Sequence, residues 1–251
     1  MIDLKTEDIK IEKTGFGDVV VLQRKSFGYG VDSVLLSAFA AGETGAPPLR
    51  QNAMVSDLGT GNGIIPFIVA HKVPSSQVTG FDVREDAIDR ANQGCEMNGL
   101  TDRVSFVRTD IMSEDMAEYR GRFDAVLSNP PYFRRSGAVR SERDDRYIAR
   151  HETTADLGDF VRTAVKLLMP KGSLYMVHRP DRLSDIIYEM RSAGIEPKTL
   201  QMVVPRKGAA PNIMLIQGVK GAGSELKVLP EITVHTSDNG YTEEILRLYE
   251  R

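Results

Sequence analysis

Cysteine is almost absent from this chain: Cys95 stands alone among 251 residues. A single thiol excludes an internal disulfide framework and leaves no Cys-x-x-Cys or Cys/His set for a structural metal. No metal is expected, and a reducing compartment fits. Surplus positive charge is missing too. With 32 Lys and Arg against 35 Asp and Glu, the formal net charge is −3, so no global field draws in a polyanion and nucleic-acid contact has to come from a local patch. No apolar run approaches the roughly 18 residues of a membrane span. The opening Met1-Ile2-Asp3-Leu4-Lys5 lacks the apolar segment of an export signal. The expectation is a cytoplasmic protein without membrane contact, in which monomer and homodimer stay open alternatives. No repeat or low-complexity tract is found. His71, His178 and His235 have no ligand-like spacing and read as ordinary surface or helix-end residues.

What is present is an alternation of short strands and helices. At 41% hydrophobic content the chain can bury a full core, and 1–251 reads as one domain: an extension over 1–50 and a sheet domain over 51–251. In the extension, residues 9–13 and 18–23 flank Thr14-Gly15-Phe16-Gly17-Asp18 as a β-hairpin. Phe27-Gly28-Tyr29-Gly30-Val31-Asp32-Ser33 then runs into an apolar helix over 34–40. Asp32 suits either a cap for that helix or a loop that closes over a ligand. From Ala53 the pattern predicts strands at 53–58, 78–83, 104–107, 123–127 and 174–177, with helices over 64–72 and 85–98. A further helix capped by Asp156 is expected to end at Pro170-Lys171-Gly172, followed by a helix over 180–193 and a strand pair at 200–204 and 213–217. Repeated β-α-β units imply an open, mostly parallel twisted sheet with helices on both faces, an α/β Rossmann-like fold.

Polar residues collect where these strands end. Asp57-Leu58-Gly59-Thr60-Gly61-Asn62-Gly63 follows the first core strand, but Ile64 stands where a dinucleotide fingerprint needs its third glycine. The three alternate glycines instead let the backbone approach a bulky adenosine-type ligand, while Asp57 can accept from an ammonium group. Asp82, ending the second strand, is placed to take both hydroxyls of a ribose. Asp110 follows the third strand. Acids are common where strands end and helices begin, so each has an innocent alternative taken singly.

After the fourth strand comes Ser128-Asn129-Pro130-Pro131-Tyr132-Phe133. Two prolines, an amide and two aromatics make poor packing material, but they suit a planar exocyclic amine. The Asn129 side-chain oxygen and the Pro130 carbonyl can accept its two hydrogens, the prolines hold those oxygens in place, Tyr132 can stack on the attached ring and Phe133 can wall the pocket. Over 134–150 six arginines stand against three acids, a local balance of +3. Arg134, Arg135, Arg140 and Arg150 suit phosphates around a splayed-out nucleotide; the alternative is a solvated helix whose charges pair internally, as Glu142 with Arg146. Lys171, Arg179, Arg182, Arg206 and Lys207 could extend the surface. His151-Glu152 reads as loop-ordering rather than as a base.

The Asn129–Tyr132 stretch resembles motif IV of methyltransferases that act on amide or amino nitrogens, and Asp57–Gly63 resembles motif I of the class I S-adenosylmethionine methyltransferases. With Phe27–Leu36 and Ile148-Ala149-Arg150-His151-Glu152 added, most of the chain is similar to the bacterial tRNA1(Val) adenine-37 N6-methyltransferase family. That resemblance implies S-adenosylmethionine held by the motif I loop, Asp82 and Asp110, the last on the adenine amino group; Asp32, in the loop that could close over the ligand, is counted with them as cofactor-binding. It also implies an anticodon-loop adenine of a valine tRNA at Asn129, Pro130 and Tyr132. Other readings are a glutamine N5-methyltransferase of release factors, which carries a helical amino-terminal domain, a ribosomal RNA or DNA amino methyltransferase, and a tRNA-binding or cofactor-sensing module that has kept the fold.

Overall fold

The structure, a computed structural model of the chain, describes residues 9–24, 29–132 and 155–250. Strands β1 (Ile9–Lys13) and β2 (Val20–Arg24) form the expected antiparallel hairpin. Its tip turns through Gly15 and Gly17 at φ 92° and 51° and tucks Phe16 fully inside. The hairpin is clamped to helix α3 (Glu85–Met97). The side chain of Asn98, just past that helix, accepts from Val20 N and donates to Val20 O, both at 2.8 Å.

Helix α1 (Val31–Ala41) begins three residues earlier than expected and is buried from Ser33 to Ala40. Its N-cap is Gly30, which leaves Asp32 inside the first turn without a capping bond. The capping account of Asp32 is therefore corrected.

The main sheet has β3 (Met54–Leu58), β4 (Gln77–Asp82), β5 (Val104–Arg108), β6 (Phe123–Ser128) and β7 (Leu168–His178) in parallel, in the spatial order β5-β4-β3-β6-β7. Beyond β7 lie β9 (Ile213–Lys220), antiparallel to its neighbours, and β8 (Ile195–Arg206), with β10 (Lys227–Val228) and β11 (Ile232–His235) along the outer side of β8. The chain winds outward from β3 to β5 and returns to lay β6 on the other side of β3. That reversal opens a crevice between the carboxyl ends of β3 and β6, where open α/β sheets bind ligands.

One face of the sheet is covered by α1, α2 (Ile64–Lys72), α3 and the terminal α6 (Glu243–Leu248); the other by α4 (Leu157–Leu167) and α5 (Leu183–Ser192). Asp156 caps α4 as expected: it accepts from Asp159 N at 3.0 Å and Asp159 reciprocates on Asp156 N at 2.8 Å. The helix stops at Leu167, however, and does not run on to Pro170-Lys171-Gly172. Those residues lie in an irregularity of β7, whose register with β6 shifts between Leu168 and Ser173, with Lys171 at φ 65°. A proline without an N–H and a left-handed residue suit a bulge, where ladder bonds are interrupted anyway.

Candidate active site

Strand β3 carries Asp57 into the crevice with no exposed surface, and neither of its carboxylate oxygens has a hydrogen-bond partner. Burial pushes the group up to about 7, with the Thr60 hydroxyl working against the rise and the charge of Asp82 adding to it. The loop that follows folds back over β4, with Gly59 and Thr60 N–H both donating to the Phe81 carbonyl at 2.9 Å. Gly59, Gly61 and Gly63 take φ of 76°, 58° and 83°, in the region that only glycine enters without strain. Buried polar groups without partners call for an account. A buried acid beside a loop in which every second residue is glycine suits a ligand that brings a hydrogen-bond donor or a cation.

Asp82 ends β4 on the same rim. Its carboxylate already accepts from four donors: Gly61 N at 2.9 Å and the backbone N, Nε and Nη2 of Arg84, each at 3.0 Å. A ribose could engage it only by displacing the Arg84 side chain. Asp110 stands two residues past β5, exposed, and spends Oδ1 on Met112 N at 2.9 Å.

Across the crevice, β6 ends at Ser128, whose hydroxyl donates to the Leu58 carbonyl at 3.0 Å. This bond ties the start of the Asn129-Pro130-Pro131-Tyr132 segment to the start of the glycine loop. The Tyr132 hydroxyl lies 2.8 Å from Asp32 Oδ2 and 3.0 Å from Asn129 Oδ1. Burial, with the Asp32 charge beside it, holds its pKa well above the usual phenol range. Its ring packs against His178, with centroids 4.8 Å apart and an interplanar angle of 53°.

The chain matches the family model "Methyltransferase small domain" over residues 33–188, from α1 into α5. Similar curated proteins include the tRNA1(Val) (adenine(37)-N6)-methyltransferase of Porphyromonas gingivalis, 30% identical over 232 residues, covering 88% of this chain and 86% of that protein. One of the same name from Actinobacillus pleuropneumoniae is 26% identical over 220 residues, covering 86% of each. The chain belongs to this methyltransferase family.

Solved methyltransferases share the fold. A predicted O-methyltransferase from Agrobacterium tumefaciens superposes with a TM-score of 0.69 at 21% identity, covering 87% of this chain and 95% of that one. A 16S rRNA N2 methyltransferase of T. thermophilus, in complex with AdoMet and guanosine, gives 0.57 at 18% identity over 84% of this chain and 50% of that one. At such identities the likeness speaks for the fold alone.

In this methyltransferase Asp57, the loop glycines, Asp82, Asp110, Asn129, Pro130 and Tyr132 all gather on one rim, at the carboxyl ends of β3 to β6. Phe133, Arg134, Arg135, Arg140, Arg150 and His151-Glu152 lie outside the described residues. Of the cations thought to extend the surface, Lys171 is at the opposite end of β7 from His178 and donates to the Gly221 carbonyl at 2.6 Å. Arg179 and Arg182 pair with Asp181 and Asp185 at 3.5 Å and 2.6 Å. His178 is a correction. It is buried at the end of β7, where burial and the nearby Arg182 lower it to about 4, and its Nδ1 accepts from Arg179 N at 2.8 Å. A polar residue closing an apolar parallel strand on the same rim was the signal for it. His235, read as an ordinary surface or helix-end residue, is half-buried and stacks on Tyr241 with centroids 5.3 Å apart. Among the described residues no group of three or more His, Cys, Asp or Glu could hold a metal, and no helix is long and apolar enough to cross a membrane.

Proposed function

We propose that this chain methylates the exocyclic N6 of an adenine in tRNA, using S-adenosylmethionine, and that the target is position 37 in the anticodon loop of a valine tRNA. The observation that carries it is the pairing of two unlike sites across one crevice: the orphaned Asp57 under its glycine loop, and the Asn129–Tyr132 amine grip, joined by the Ser128–Leu58 bond. The curated relatives' names support the nucleic acid and the base.

S-adenosylmethionine, when bound, supplies an electrophilic methyl group on a sulfonium centre. Asp57 would accept from its ammonium group, and Asp82 would accept from its ribose if the Arg84 side chain gave way. Asp110, with Oδ1 on Met112 N, would have its other oxygen for the adenine amino group. On the acceptor side, an amine conjugated to a purine is a weak nucleophile because its lone pair is delocalised into the ring. Asn129 Oδ1 and the Pro130 carbonyl each accept one of its hydrogens, which favours a pyramidal nitrogen and frees that pair. No strong base is required before attack, because the nitrogen sheds its surplus proton to solvent only after it has taken the methyl group. Tyr132, 36% exposed, offers ring surface to the base, and stacking of this kind contributes roughly 1–3 kcal/mol. An adenine in a loop is the cheapest to bring there, since it leaves its stack at little cost. Arg134, Arg135, Arg140 and Arg150 follow in sequence and suit the flanking phosphates, while Phe133 can wall the pocket. We read 1–251 as one catalytic unit.

The test uses purified protein and radiolabelled S-adenosylmethionine. Bulk bacterial tRNA is expected to take up label at N6-methyladenosine, while release factor and duplex DNA stay unlabelled. Label in release factor would overturn the tRNA reading. Asn129→Ala is expected to lower transfer by about a hundredfold or more while cofactor affinity stays within about twofold, because the deleted group meets only the amine. An equal loss of cofactor affinity would contradict that division.

A further inference from the structure

We propose that Asp32 is a positioning residue, which sets the facing of the Asn129 side-chain amide by way of the Tyr132 hydroxyl. This rests on Asn129 being the amine acceptor, and it moves Asp32 from the cofactor side of the crevice to the acceptor side.

The starting point is a competition. Tyr132 Oη lies within hydrogen-bonding distance of Asp32 Oδ2 (2.8 Å) and Asn129 Oδ1 (3.0 Å), yet a phenol carries one hydrogen. Bonds to a charged acceptor are shorter and roughly twice as strong as neutral ones, so the nearer carboxylate takes it. Tyr132 keeps that proton, since burial and the Asp32 charge both oppose its loss. Its oxygen then faces Asn129 Oδ1 with no hydrogen between them, and two acceptors at that separation repel. A half-turn about the last torsion of Asn129 exchanges Oδ1 for Nδ2 in nearly the same place. Nδ2 now donates to the tyrosine oxygen, and Oδ1 is left with its lone pairs free for the substrate amine. Without the charge at 32, the tyrosine hydrogen returns to Oδ1. Nδ2 is then turned toward the amine, a donor facing a donor.

The surroundings hold the tyrosine where this works. His178 packs on its ring, and the histidine is itself fixed by the Arg179 N–H on Nδ1. Asp32 cannot be explained as a helix cap, because Gly30 holds that position and no side-chain cap bond forms. It sits a hundred residues before its partner, so the extension ahead of the sheet completes the acceptor site.

The experiment is a double-mutant cycle of Asp32→Asn and Tyr132→Phe, with rates measured on whichever acceptor the wild type labels. Asp32→Asn is nearly isosteric and is expected to lower kcat by about ten- to a hundredfold. Cofactor Kd and acceptor KM should stay within about threefold. In the Tyr132→Phe background the same substitution should change kcat by less than about twofold, because no hydroxyl hydrogen remains to be diverted. The cycle is repeated on urea unfolding, which needs no activity and should show the same non-additivity. An equal loss of kcat in both backgrounds, a tenfold weaker cofactor with kcat intact, or additive unfolding effects would each overturn the proposal. Should the wild type label a protein instead of tRNA, the substrate reading falls while the cycle still decides the role of Asp32.

Discussion

A carboxyl group with no exposed surface, as Asp57 is, stays protonated in the folded chain until the pH reaches about 7, because burial outweighs the help of the Thr60 hydroxyl. In the unfolded chain an aspartate ionises near pH 4. Its folded value is the higher of the two, so the favourable contribution is fully present below about pH 4 and lost as pH rises through about 7. Asp57→Asn is therefore expected to stabilise the ligand-free protein at pH 8 by up to about 4 kcal/mol, a gain that shrinks toward nothing as the pH falls to about 4. Urea unfolding across that range checks it, and His178, common to both proteins, cancels. The cofactor should show the reverse: wild-type affinity rises from pH 6 to pH 8 as the carboxylate forms, while the variant binds weakly at both, as calorimetry would read. Asp57 was legible in the sequence because it directly precedes its glycine loop. The Arg84 guanidinium on Asp82 was not, since a side chain two residues away can reach either solvent or its neighbour, and the fold of the loop decides which.

At the scale of the element, the turn from β3 into α2 is the most constrained piece. A Cβ on Gly63 would stand 2.7 Å from Phe106 Cζ and 2.9 Å from Phe67 Cζ, at φ 83°. Phe67 and Phe106 are themselves locked edge to face, 5.7 Å apart, so neither can give way cheaply. Gly63→Ala is expected to cost about 2–4 kcal/mol, strain and overpacking combined. Gly45→Ala, at φ 95° in open space, should cost only the backbone part, about 1–2 kcal/mol. The difference between the two unfolding free energies isolates the packing contribution; equal losses would show the rings to be more compliant than their packing implies. Elements with their own punctuation were readable. Helix α3 has an apolar stripe and a terminal Gly99 at φ 62°, and α4 has its Asp156 cap. Strands β10 and β11 escaped notice because a run of two or four residues is too short to show a period, and both exist only by pairing with β8.

Over the whole molecule, a net charge of −3 gives a polyanion no global attraction, and under the proposed function the arginines from Arg134 onward would meet it locally. Arg134→Ala with Arg135→Ala is expected to weaken tRNA binding and to flatten the dependence of log K on log salt by about 0.7–0.9 for each phosphate no longer neutralised. Filter binding over a salt series measures this, and an unchanged slope would place the phosphate path elsewhere. The sequence alone was enough to settle the β-α-β alternation and the places of Asp57, Asp82, Asp110 and Asn129-Pro130-Pro131-Tyr132 at the strand ends, because periodicity, capping and turn chemistry are written in neighbouring residues. Only the tertiary structure decided that Asp32 meets Tyr132, that His178 is buried behind it, and that Ser128 joins the two halves of the crevice through Leu58. Those contacts link residues far apart in the chain, and whether they form depends on strand register and on which helix covers which face, quantities that no local pattern carries.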